Sequence, residues 1–237
     1  MSIGGGLFGA VERAVERTCE TAQIFVSNPR SWKHSDMVPD DISIFRAICE
    51  ERDLWPIFVH TIYLINLAAP VDEVWERSIA SLVMNIEAAA DLGSAAVVTH
   101  LGSHGGKGED FGVGRVMHAL ERVLSARGGG VPILLETTAG AGNSVGHDFS
   151  QLGRILRAFK GDESLGLCFD TCHAFAAGYE LRFPEGLEKT LDELDREVGL
   201  GRLKLIHAND SRGDKGSRID RHQHIGEGFL GLRAFEY

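Results

Sequence analysis

The sequence has no stretch of about 18 apolar residues, so it contains nothing that could cross a bilayer as a helix. The opening MSIGGGLFGAVERAVER brings in acidic residues too early for a secretory leader, and no small-residue cleavage site follows. Cysteine is scarce. Cys19, Cys49, Cys168 and Cys172 form no disulfide framework, so a reducing, cytoplasmic location is expected. No Walker A motif occurs, and the two GxGxxG spellings, at 4–9 and 226–231, do not follow an apolar strand run in this sequence, which leaves a nucleotide-binding fold without support. Basic residues are outnumbered, 24 Lys and Arg against 34 Asp and Glu, giving a formal net charge of −10. That balance argues against a globally basic nucleic-acid surface. A local one remains open, and bound divalent cations would reverse the field around a site. What is present is 43% hydrophobic residues in 237 positions, enough for a sizeable core.

Apolar β-like runs alternate with longer amphipathic stretches. The spacing predicts a first helix through Leu7, Ala10, Val11, Ala14, Val15 and Cys19, then a short strand at 22–26. Pro39-Asp40-Asp41 opens a second helix that buries Ile44, Phe45 and Ile48. Strands at 57–60, 95–99, 131–135, 165–169 and 203–206 alternate with helices at about 72–92, 111–126, 149–159 and 185–198, with Gly93 stopping the third helix. Strands apolar on both faces between helices describe a buried parallel sheet. A single (β/α)-barrel domain over residues 1–237 is the best reading, and a doubly wound open sheet is the alternative.

The functional signal lies in how the strands end. IFVH ends at His60, AVVTH at His100, ILLE at Glu136, GLCFD at Asp170 and LKLIH at His207. In a parallel barrel the C-terminal strand ends converge on one face, where active sites lie. A lone polar residue at a strand end is unremarkable. Five successive metal-capable ones are hard to explain as ordinary strand ends. Asp170-Thr-Cys-His173 adds an imidazole three residues beyond a carboxylate, and Asp220-Arg-His222 supplies a pair whose side chains share a face if the segment is extended. Cys168 and Cys172 flank Asp170 and read as small packed hydrophobes rather than thiolate ligands.

Eight imidazole and carboxylate candidates are too many for one zinc, which takes about four ligands. They suit two or three ions if a carboxylate bridges, with manganese or iron as possible substitutes. Carboxylate-bridged clusters are suited to phosphodiester hydrolysis, because the ions generate a nucleophile from water and neutralise phosphate oxygens.

Five stretches then carry a resemblance: NPRSW (28–32), YLINLAAP (63–70), LLETTAGAG (134–142), GLCFDTCHAFAAGY (166–179) and HANDS…GSRIDRHQHIGEG (207–228). Together they make the chain similar, over essentially its whole length, to endonuclease IV, the zinc-dependent abasic-site DNA nucleases built on a TIM barrel. The resemblance implies three zinc ions: one held by His60 and His100, with Glu136 bridging to a second that also takes Asp170 and His207, and a third held by His173, Asp220 and His222. It implies attack by a bridging hydroxide on the phosphate 5′ to an abasic site in double-stranded DNA. The products would be a 3′-hydroxyl and a 5′-deoxyribose phosphate, and no separate general base is needed. The protein would act as a monomer. Arg30 matches a residue that enters the minor groove and Tyr63 one that helps fill the gap. Arg212, Lys215, Arg218 and Arg221 are candidate phosphate contacts.

Departures from the family lie at the ends. The opening Met1-Ser2-Ile3-Gly4 looks like a point just after the family's first strand. The family's last strand carries a final glutamate on the second zinc, and no residue near Phe235-Glu236-Tyr237 replaces it. The expectation is therefore strands two to seven of an eight-stranded barrel, with one second-zinc ligand missing. Two other classes stay open: a sugar isomerase-like metalloenzyme barrel, and a chain that binds metal or DNA without cleaving.

Overall fold

The computed structural model describes residues 6–34, 37–128 and 130–237. The Met1–Gly4 departure lies outside them. Six parallel strands form one sheet in chain order: β1 (Ala22–Ile24), β2 (Ile57–His60), β3 (Ala96–Thr99), β4 (Ile133–Glu136), β5 (Leu165–Asp170) and β6 (Leu203–His207). Between them run α1 (Gly6–Glu16, before β1), α2 (Pro39–Glu51), α3 (Asp72–Leu92), α4 (Glu109–Ala126), α5 (Phe149–Ala158), α6 (Thr171–Ala177) and α7 (Pro184–Glu197). This is a curled TIM-type sheet of six strands. Among the described residues, no helix is long and apolar enough to cross a membrane.

Strand alternation sorts the residues into two layers. Outward-facing Val97, Ile133, Leu135, Leu167 and Phe169 join the main core against the helices, where Phe45, Leu82, Ile86, Leu120 and Phe149 are buried. Inward-facing Ala96, Val98, Leu134 and Cys168 form a separate plug, flanked by Phe58 and Leu205. One step of two residues further along each strand gives His60, His100, Glu136, Asp170 and His207. The register pairs Asp170 with His207, so these two are level, while His60 pairs with Val98 and Glu136 with Cys168, so His100 and Asp170 each stand one inward position further along than the neighbouring strand's ligand. The plug thus forms an apolar floor directly beneath the polar cluster.

Helix ends follow local chemistry. Asp40 and Asp41 lie in the first turn of α2, and Asp72 and Glu73 in that of α3, where carboxylates meet the positive end of the helix dipole. Gly93 closes α3 in the left-handed region at φ 72°.

Three expectations need correction. Ile44 is 52% exposed, because α2 turns the Phe45 and Cys49 stripe inward and leaves Ile44 a residue off that face. Cys19 falls beyond α1, which ends at Glu16. The segment after Asp170 is helix α6 rather than a loop, because the Asp170 carboxylate accepts from the His173 N–H at 2.9 Å and caps it.

Candidate metal centre

Glu136 is the hub. It is buried at the end of β4 and approached by imidazoles on both oxygens. Its Oε2 lies 3.0 Å from His60 Nε2 and 3.2 Å from His100 Nε2, while its Oε1 lies 3.1 Å from His207 Nδ1 and 3.4 Å from His173 Nδ1. Asp170 divides its oxygens. Oδ1 caps α6, and Oδ2 sits 3.7 Å from both His207 Nδ1 and His222 Nε2, where the Asn209 amide also donates to it at 2.6 Å. On the far side His173 Nε2 is 3.1 Å from Asp220 Oδ1 and 3.3 Å from His222 Nε2. The structure therefore brings all eight candidate ligands into one cluster. Donor atoms within 4.8 Å of one another group as His60–His100–Glu136, as Glu136–Asp170–His173 and as His173–Asp220–His222.

The tautomers decide what this cluster can hold. His60 Nδ1 faces the Thr61 carbonyl at 2.7 Å, and His173 Nδ1 faces the Thr137 carbonyl at 2.8 Å. A carbonyl only accepts, so each Nδ1 carries a proton, and each Nε2 faces a carboxylate oxygen, which it can meet as a second N–H donor or, with a metal ion between them, as a ligand. His173 Nε2 also confronts the His222 ring nitrogen. So many nitrogen and carboxylate atoms at this spacing are held together by cations between them, protons or metal ions, and among the described residues no Lys or Arg ion-pairs with Glu136, Asp170 or Asp220. A mixed N/O donor set with backbone-anchored imidazoles is the chemistry of a zinc, manganese or iron site. Charge coupling is correspondingly strong. Burial opposes ionisation of Glu136, yet the imidazoles of His100, His173 and His207 hold it well below the usual carboxylate range. Burial likewise opposes charging His207, but Asp170, Cys168 and Glu136 outweigh it and raise its pKa to about 12.

The two nearby cysteines pack. Cys168 lies in the apolar plug, and burial raises its pKa to about 12. Cys172 is also buried, its thiol directed at the Arg221 carbonyl, although its sulfur lies within reach of Asp170 and His222.

Around the rim, Tyr63 is 59% exposed rather than part of the core, edge-on to Phe25 and to His60. Its backbone N–H is tied to the Pro29 carbonyl, which links the Tyr63 loop to the loop holding exposed Arg30. Of the four candidate phosphate contacts, Lys215 is paired with Glu180 at 3.0 Å, and Arg221 donates to its neighbour's carbonyl. Arg212 and Arg218 are exposed. A cleft of about 410 Å³ adjoins the cluster between Tyr63, Asn66, His100, Ser103, Thr138 and Asp220.

Sequence reasoning passed over several residues that shape the cluster. The carbonyls of Thr61 and Thr137 leave no mark in a sequence. Gln23 and Asn209 do, as polar residues beside the ligand positions.

A parallel sheet carrying its polar residues on the C-terminal strand ends is a TIM-barrel enzyme scaffold, and a family profile described as a xylose isomerase-like TIM barrel matches residues 11–237. "Probable endonuclease 4" of Chloroflexus aurantiacus is 46% identical over 236 residues, which is 99% of this chain and 83% of that protein. The crystal structure of endonuclease IV from Thermus thermophilus superposes with a TM-score of 0.87 at 40% identity, covering 99% of this chain and 83% of that one. The chain belongs to the endonuclease IV family and is an endonuclease. A D-tagatose 3-epimerase-like protein, 22% identical with a TM-score of 0.71, shares the fold alone.

Proposed function

We propose that the chain is a DNA-repair endonuclease that hydrolyses the phosphodiester 5′ to an abasic site, using three divalent metal ions, zinc foremost. The observation that carries this reading is Glu136, reached by His60 and His100 on one oxygen and by His207 on the other, and so placed to bridge two ions. His60 and His100 would complete the first centre. Asp170 and His207 would share the second with Glu136. His173, Asp220 and His222 would hold the third. Bound there, the ions would acidify water and neutralise phosphate oxygens.

The protein's own part is placement. The Thr61 and Thr137 carbonyls fix two imidazoles with Nε2 inward, and the apolar plug of Val98, Leu134 and Cys168 lies beneath. Water adds to phosphorus as the bond to the 3′ oxygen breaks, leaving a 3′-hydroxyl and a 5′-deoxyribose phosphate. Tyr63 and Arg30 stand at the rim, where they would fill the gap opened when a baseless nucleotide leaves the stack. Extrusion is least costly where no base is stacked. The net charge of −10 does not oppose a DNA substrate, because three carboxylates lie in the cluster that the cations would neutralise.

The test is a duplex containing one tetrahydrofuran abasic analogue, incubated with zinc-loaded protein. Incision 5′ to the analogue, abolished by a chelator and absent on intact duplex, is the expected result. Stoichiometric zinc without incision would refute catalysis and leave a metal-binding chain.

A further inference from the structure

Three imidazoles of the cluster have their second nitrogen on an oxygen acceptor. For His60 and His173 that acceptor is a backbone carbonyl. For His207 it is a side chain: Nε2 lies 2.9 Å from Gln23 Oε1. Gln23 is the middle residue of β1, between buried Ala22 and Ile24, so alternation turns it into the barrel interior. β1 and β6 are opposite ends of the sheet order and share no ladder, so this bond reaches across the curl between residues 184 apart in sequence.

We propose that Gln23 is the positioning residue for His207. Its amide oxygen accepts from the Nε2–H, so that Nδ1 is the nitrogen that would yield its proton to a metal ion in the space shared by Glu136 and Asp170. This rests on the reading of the cluster as a metal centre. The opposite tautomer would put a proton on Nδ1, donate it to Glu136 at 3.1 Å and close the ring to a metal ion. Backbone carbonyls cannot make that choice wrongly, whereas a glutamine can turn its amide, so His207 is the imidazole whose role depends on a replaceable side chain. Partners of this kind typically set metal affinity by 10–100-fold, because they fix both ring orientation and tautomer.

The experiment compares wild type, Gln23→Met and Gln23→Glu by zinc-buffered titration, with ¹⁵N-histidine NMR of the zinc-loaded proteins. Gln23→Met keeps the volume without the acceptor. It is expected to release one class of zinc at roughly 10–100-fold higher free zinc than wild type, with the remaining zinc unmoved. Gln23→Glu keeps an acceptor oxygen and is expected to restore wild-type affinity and the Nε2-protonated signature of His207. A purely structural clamp would shift thermal stability without changing either readout. Unchanged zinc affinity in Gln23→Met overturns the inference while leaving the metal centre standing. A wild-type spectrum with His207 protonated on Nδ1 does the same, and decides the matter even if Gln23→Met fails to fold. Wild-type protein that takes up no zinc overturns the metal reading and this inference together.

Discussion

Asp210 touches none of the proposed ions, yet replacing it should remove one of them. It is wholly buried just past β6 and accepts five backbone N–H groups. Oδ1 takes Ser211 at 2.7 Å and Leu230 at 2.9 Å. Oδ2 takes Gly226 at 3.0 Å, Gly228 at 3.0 Å and Gly231 at 3.1 Å. The carboxylate thereby ties the far end of the 212–231 segment to its start, and that segment carries Asp220 and His222. Gly228 must be glycine for this, since a Cβ there would collide with Asp210 Oδ1 and the Ser211 carbonyl. Asp210→Asn is nearly isosteric but has only one acceptor oxygen. Whichever way the amide turns, its NH₂ faces two or three N–H donors. Two charge-assisted bonds at roughly 1.5–3 kcal/mol each are then lost. The upper end is not reached, because the segment can open to water and recover part of that. About 3–4 kcal/mol is expected. For a chain of this length, that corresponds to a fall in Tm on the order of 10 °C. The assays are thermal unfolding, amide exchange across 222–231 and zinc analysis. The expected result is a lower Tm, faster exchange confined to that segment, and loss of the zinc assigned to His173, Asp220 and His222 with the other zinc kept. An Asp210→Asn protein with wild-type Tm and full zinc content would refute the argument that this carboxylate holds the third centre together.

Glu136→Gln keeps the shape of the hub but removes its charge and one acceptor oxygen, so it should lose zinc from both centres it touches and reduce incision by more than roughly 100-fold; normal cleavage would end its bridging role. Tyr63→Ala, at an exposed rim position, should leave Tm and zinc content near wild type while lowering the preference for the abasic analogue over intact duplex, measured as a ratio of kcat/KM; an unchanged ratio would remove Tyr63 from recognition. Hydrogen bonds from Arg182, then Lys215, lower the Glu180 carboxyl from 4.5 to about 2. Its contribution is therefore fully present above pH 4.5 and lost as pH falls from about 4.5 towards 2. The partly exposed partners reduce the ceiling set by that shift, leaving about 1–3 kcal/mol. Relative to wild type, Glu180→Gln should lose stability at neutral pH but not at pH 2, a comparison in which acid release of metal is common to both proteins; parallel stability curves would contradict it.

Five of the eight proposed ligands were legible because a strand's covalent period leaves no choice. Once 58, 98, 134, 168 and 205 face inward, residues 60, 100, 136, 170 and 207 must face inward above them, and nothing outside each strand has to be known. Asp220 and His222 are different. They come from a long segment whose only ladder is the short antiparallel pairing of Asp210–Ser211 with His222–Gln223, and spacing alone offered only a pair of side chains on one face. The resemblance grouped them with His173, and the packing that brings them there runs through Asp210 and glycines up to 21 residues away. Helix α6 was missed for a related reason. TCHAFAA is too short to show a period, and its N-terminal signal, Asp170, is also the last residue of the strand. Gln23 carried a signal that can be stated as a rule: an amide at an inward position of an otherwise apolar barrel strand needs a partner inside the barrel, and the imidazoles at the mouth are the groups within reach. What the sequence could not show is which imidazole, because that depends on how tightly the sheet curls. The curl that brings Gln23 within reach of His207 across the mouth is set by the whole sheet and by no segment of it.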